Sequence, residues 1–156
     1  MVLSDKELQE FITKNKVDAK ILYFEKHTMT VDAAVAQLNI PKCKIAKSLL
    51  LMSELNEPFL IIIGGDKRVS LQKVEKVLDI KNMRIAKAKE VKEILGYEVG
   101  GVPPICHKNK VLIIVDEGLM KLDSVIGGGG IGHALLEIKP DEIVSINSAA
   151  VSQVSE

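Results

Sequence analysis

Residues 45–66 read IAKSLLLMSELNEPFLIIIGGD, and the fold is read outward from them. Ile45 to Met52 opens with a lysine and becomes continuously apolar in its second half, and Phe59 to Ile63 is apolar throughout. Short runs without alternation mark strands covered on both faces. Gly64-Gly65-Asp66 breaks the second run, and Ser70 then caps a helix that keeps Leu71, Val74 and Leu78 in register. The local pattern is therefore strand, strand, turn, helix.

Upstream, Ser4 and Glu7 form a capping box for a helix through about Lys14, with Leu8, Phe11 and Ile12 on one face. Ile21 to Phe24 is a short strand. Thr28 or Thr30 then caps a helix whose apolar face is Val31, Ala34, Val35 and Leu38. Downstream, Ile80 and Arg84 to Ala86 read as short extended pieces, and a helix carrying Val91 and Leu95 stops at Gly96. Gly100-Gly101-Val102-Pro103-Pro104 is a loop, because glycine costs backbone entropy there and proline removes donors. Val111 to Val115 returns to strand. The run Gly127 to Gly130 reads as a flexible loop before a strand at Ala134 to Ile138, and Pro140 starts a last helix.

The expected architecture is α+β, with a mixed, barrel-like β-sheet flanked by helices in a single domain over residues 1–156. Apolar residues make up 47% and charged residues 27%, the balance of a globular protein. No apolar run approaches the ~18 residues of a membrane span. Two cysteines are too few for a disulfide framework, which leads to an expected cytoplasmic location. Lys+Arg and Asp+Glu are equal at 21 each, so any contact with a polyphosphate is local. Aromatics at 3% and the absence of Trp argue against extended base stacking.

Lys47 is the first candidate for chemistry. By period two it shares a face with Ile45, Leu49 and Leu51, which puts its ammonium at a pocket mouth, or snorkelling past a rim, or simply on the surface. The Gly100 to Pro104 loop is the second, since fixed amide donors stabilise a developing oxyanion; a connecting turn is the competing reading. Gly127, Gly129 and Gly132 satisfy a dinucleotide fingerprint literally, but the segment that follows reads as strand and the chain is nearly over. What remains for the run is exposed N–H groups facing a polar ligand. Cys43, Cys106, His27, His107 and His133 have no recognised ligand spacing, so no metal or cofactor is expected. Cys106 and His107, adjacent on a segment read as extended, would point to opposite sides. Asp66 and Asp116 each follow a strand, where they cap a turn or line a cleft.

Taken in order, Thr28 with its Ala-rich helix, Ile45-Ala46-Lys47-Ser48-Leu49, Gly64-Gly65-Asp66, Gly96-Tyr97 with Gly100 to Pro104, and Val115-Asp116-Glu117 before the glycine run resemble the YbaK/ProX family, which includes the editing insertion of bacterial prolyl-tRNA synthetases. That resemblance implies a trans-editing hydrolase that deacylates mischarged aminoacyl-tRNA of the Cys-tRNA(Pro) or Ala-tRNA(Pro) type. It assigns catalysis to Lys47 and Gly101, and substrate binding to Thr28, Gly100, Val102, Pro104, Gly129 and His133. The implied partners are the aminoacyl-tRNA acceptor end and a prolyl-tRNA synthetase. The alternative is a non-catalytic module that is associated with a synthetase or binds a small ligand in the same pocket.

Overall fold

A computed structural model describes residues 2–156. The elements run α1 (Asp5–Asn15), β1 (Ala19–Tyr23), α2 (Val31–Leu38), β2 (Ala46–Met52), β3 (Pro58–Gly64), α3 (Leu71–Leu78), β4 (Arg84–Ile85), α4 (Ala88–Leu95), β5 (Leu112–Asp116), β6 (Val125–Gly128), β7 (Ala134–Ile138), α5 (Pro140–Asn147) and β8 (Ala150–Ser152). Short 3₁₀ turns at Lys42–Lys44 and Glu117–Lys121 complete the path.

The caps explain where the helices begin. Ser4 Oγ accepts from the Lys6 amide and donates to the Glu7 carboxylate at 3.1 Å, which fixes the entry to α1. Thr30, not Thr28, caps α2 by accepting from the Ala33 amide at 3.0 Å. Ser70 caps α3 in the same way from Lys73. Gly96, at φ +90°, ends α4 in the left-handed conformation that favours glycine.

The strands form a mixed α+β architecture of two sheets, ordered β1-β7-β6 and β4-β2-β3-β5-β8. β3 pairs antiparallel with β2 and parallel with β5, which pairs parallel with β8. β6 reaches the start of β2 through one parallel bridge, Ile45 to Ile126, so the sheets meet in a barrel-like curl without closing. β3 carries the core on both faces, as its apolar run requires. Leu60 and Ile62 face the main core with Leu8, Leu50 and Leu136, while Ile61 and Ile63 pack on Val74 of α3. Each such side chain contributes about 1.5–3 kcal/mol on burial. A third cluster, Ala34, Ile45, Ile126 and Leu135, lies under α2 and spans the junction of the sheets.

Three expectations are corrected. Gly127 and Gly128 belong to β6 rather than to a flexible loop. Ile80 belongs to no strand: its amide closes the end of α3 on the Glu75 carbonyl. Cys106, at φ +66°, is left-handed, so the segment around it is not extended either. Asp116 does not cap its own turn but lines a small cleft with Asp66; buried, it accepts from the Val154 amide at 2.9 Å and the Ser155 hydroxyl at 3.2 Å, which ties down the C-terminal segment. No helix among the described residues is long and apolar enough to cross a membrane.

Candidate functional site

The site forms where β2 loses its neighbour. In an antiparallel ladder alternate residues aim both N–H and C=O at the same side. The Ile45 carbonyl accepts from Gly65 on the β3 side, and the Leu50 carbonyl accepts from Ala86 on the β4 side. Even-numbered residues of β2 therefore face away from β3. β6 touches that edge at Ile45 and β4 only at Leu51 and Met52, which leaves Ser48 facing a gap. A cavity of about 240 Å³ occupies it, with β2 and β6 on two sides, the 99–102 loop across it and α2 behind.

Lys47 lines this cavity, as do Thr28, Gly100 and Val102. Burial pushes the Lys47 ammonium below the usual lysine value; the Asp66 carboxylate opposes that shift and the Arg68 guanidinium adds to it. Among the described residues Lys47 makes no ion pair within 4.0 Å. Thr28 is buried, its hydroxyl bonded to the Ala134 carbonyl at 3.4 Å and its amide to Gly132 at 2.8 Å. Thr28 thus seals the wall by joining the segment before α2 to the start of β7.

The 100–104 loop does not use its amides alike. The Gly101 N–H, expected to be a free oxyanion donor, is spent on the Glu98 carbonyl at 3.0 Å, and Gly101 is not a lining residue. The Gly100 and Val102 amides have no acceptor among the described residues, and both residues border the cavity. Gly100 sits at φ +91°, where a Cβ would meet the Met29 carbonyl oxygen at 2.7 Å. Glycine is required there by conformation and by the close approach of the rim.

The remaining expected residues lie elsewhere. Pro104 is buried against Gly127 behind the loop. Gly129 is buried with its amide on the Ala134 carbonyl, and Gly130 donates to Gly101 at 2.9 Å. His133 is exposed on the turn before β7 and does not line the cavity. Sequence reasoning missed Ser48, whose Oγ is buried without a partner among the described residues and whose residue lines the cavity. It also missed the exposed apolar rim of Met29 and Val99. A serine inside an apolar strand is the one available signal for the first, because a buried hydroxyl there needs a partner.

Residues 25–146 match the family model described as the aminoacyl-tRNA editing domain. The chain belongs to that family. This editing domain is 34% identical over 127 residues to a proline–tRNA ligase of Lactobacillus helveticus (strain DPC 4571), covering 77% of the chain and 22% of the ligase. It thus spans about a fifth of that relative's length. It is 26% identical over 149 residues to the uncharacterized protein YwhH of Bacillus subtilis (strain 168), covering 96% of the chain and 94% of YwhH. Among solved structures, hypothetical protein APE2540 superposes with TM-score 0.91 at 35% identity, covering 96% of the editing domain and 99% of that chain. A protein provisionally assigned as a trans-editing enzyme for prolyl tRNA synthetase superposes with TM-score 0.88 at 27% identity, covering 97% and 96%.

Proposed function

We propose that residues 1–156 form one aminoacyl-tRNA deacylase domain, a trans-editing hydrolase acting on mischarged tRNA of the Ala-tRNA(Pro) or Cys-tRNA(Pro) type. One observation carries the reading: Lys47 borders the same small cavity as Gly100 and Val102, two residues whose backbone amides are unpaired among the described residues. At about 240 Å³ it suits a small aminoacyl group and not a whole nucleotide; pockets for drug-sized ligands run to ~300–1,000 Å³. The apolar rim of Met29 and Val99 gives the terminal ribose and base a surface to rest on.

An aminoacyl ester is already activated, so its hydrolysis asks mainly for charge stabilisation. In this mechanism the Gly100 and Val102 amides receive the carbonyl oxygen as it turns into an oxyanion. Each such donor is worth about 2.7–4 kcal/mol of barrier. Lys47 supplies positive charge beside them, to the oxyanion or to the terminal phosphate. Water attacks the carbonyl carbon, the bond to the ribose oxygen breaks, and the proton passes to that oxygen. The substrate's vicinal hydroxyl positions the water, or a cysteinyl thiol attacks its own ester. Gly101 serves by making the turn that aims its neighbours, and Thr28 by closing the wall. His133, exposed and outside the cavity, is placed to meet the tRNA itself, and Pro104 and Gly129 support the loop from behind. A prolyl-tRNA synthetase partner would lend tRNA affinity to a chain without net charge, and the substrate makes the cytoplasm its place of work.

Incubation with a panel of mischarged tRNAs tests this directly. The parent protein is expected to release alanine or cysteine well above the buffer rate, and Lys47→Ala to lower that rate about 100-fold. Tight binding of a non-hydrolysable aminoacyl-adenosine without turnover of any charged tRNA would instead establish the non-catalytic module.

A further inference from the structure

The cavity loop ends in two residues that cannot donate. Pro103 and Pro104 are buried, have no N–H for a ladder, and leave two carbonyls that need donors. Side chains from distant elements supply them. His107 Nε2 lies 2.7 Å from the Pro103 carbonyl, and since a carbonyl only accepts, that nitrogen carries the proton. Asn147, the last residue of α5, donates through Nδ2 to the Pro104 carbonyl at 2.9 Å while holding the Ile143 carbonyl of its own helix at 2.9 Å. Just beyond them, the fully buried Tyr97 hydroxyl donates to the Cys106 carbonyl at 2.6 Å. This fixes the left-handed residue that turns His107 toward the loop.

Neither His107 nor Asn147 touches the cavity. Both line a second cleft of about 330 Å³ that shares no residue with the first. Their bonds hold the 103–104 and 104–105 peptide planes, which anchor the chain where it leaves Val102, while the plane of the Val102 amide itself is held by Gly130 donating to the Gly101 carbonyl at 2.9 Å.

The geometry points to His107 and Asn147 as positioning residues for the deacylation, gripping the Pro103 and Pro104 carbonyls from the second cleft so that the Gly100 and Val102 amides hold their aim. The inference rests on the deacylase reading for its effect on rate, but its effect on the loop stands apart from turnover. Burial keeps the imidazole neutral, pushing it down to about 4, so the donor tautomer persists across the working range of pH.

The test compares His107→Gln, whose amide nitrogen can take the place of Nε2, with His107→Met, which has similar bulk and no N–H donor. Asn147→Leu serves as the second variant should His107→Met fold poorly. For folded variants at saturating mischarged tRNA, His107→Met and Asn147→Leu are expected to lose about tenfold or more in kcat with KM within about twofold, because small misplacements of a reacting geometry cost rate. His107→Gln is expected to stay within about twofold of the parent. Lowered melting temperature with unchanged kcat would show that the bonds only satisfy buried carbonyls, and overturns the inference, as does an equal loss in Gln and Met. If the parent deacylates nothing, the deacylase reading fails. Positioning is then judged on the ¹⁵N order parameters of the Gly100 and Val102 amides, which should fall in His107→Met and not in His107→Gln; unchanged order parameters in both overturn it.

Discussion

Two glycine-rich segments, Gly100 to Val102 and Gly127 to Gly130, look alike on paper, and Gly127 and Gly128 also line the cavity, but the two use their amides in opposite ways. The first crosses the cavity with two amides unpaired. The second spends its amides inside the protein, Gly129 on Ala134 and Gly130 on Gly101, and lets another backbone come close. A Cβ on Gly127 would meet Pro104 Cδ at 2.8 Å, and one on Gly128 would press into the Val102 carbonyl. Glycine in a sequence thus marks either an open face for a ligand or a place where chain touches chain. Here the second kind is what presses the first into position.

The contrast can be broken most forcefully at Gly128. Gly128→Ala drives a methyl into the backbone behind Val102, and we expect destabilisation of about 3 kcal/mol, seen as a lower melting temperature and loss of the cavity. A stable Gly128→Ala protein would mean the two backbones are not in contact. Inside the first segment the neighbouring glycines should differ. Gly100→Ala meets both positive φ and the Met29 backbone and should cost about 1–3 kcal/mol. Gly101→Ala meets nothing closer than 3.6 Å and has no positive φ. It should stay within about 0.5 kcal/mol of the parent and keep most of its activity, since the added methyl leaves the backbone and its bond to Glu98 undisturbed. Equal loss of activity in the two would mean that a side chain at Gly101 disturbs the loop as much as one at Gly100.

A smaller effect sharpens the part played by Lys47. A group that acts as a cation loses its effect as pH rises through its pKa, and burial has moved that point for Lys47 below the ordinary lysine range. Under the deacylase proposal the protein-dependent rate, corrected for alkaline hydrolysis of free ester, should therefore decline at a pH below that of an exposed lysine. Lys47→Arg, whose charge persists beyond pH 12, should flatten the decline. A rate that climbs steadily with pH in both proteins would make Lys47 a base or a bystander.

Much of the fold was legible because its signals are local. Ser4, Ser70, Gly96 and Pro140 each mark a helix end by a bond or a φ made within a few residues, and β3 declares its burial through an unbroken apolar run. β6 was hidden because its Gly127-Gly128 end reads as a loop and only the nearness of Pro104 and Val102 explains it. β8 is three residues long and exists by pairing with β5. At the site, Lys47, Thr28, Gly100 and Val102 were legible from the family pattern. The engagement of the Gly101 amide, the orphaned Ser48 hydroxyl, and the grip of His107 and Asn147 on the loop were not. Those depend on partners brought together only by the folded chain, Asn147 lying 43 positions from Pro104.

Titration of ¹⁵N-labelled protein with a non-hydrolysable alanyl-adenosine analogue tests the central claim most directly. The account predicts that the amide resonances of Gly100 and Val102 shift to saturation while those of Gly129 and Gly130 stay in place, and that Lys47→Ala weakens the binding. Shifts confined to the 127–130 segment, with Gly100 and Val102 unmoved, would contradict it.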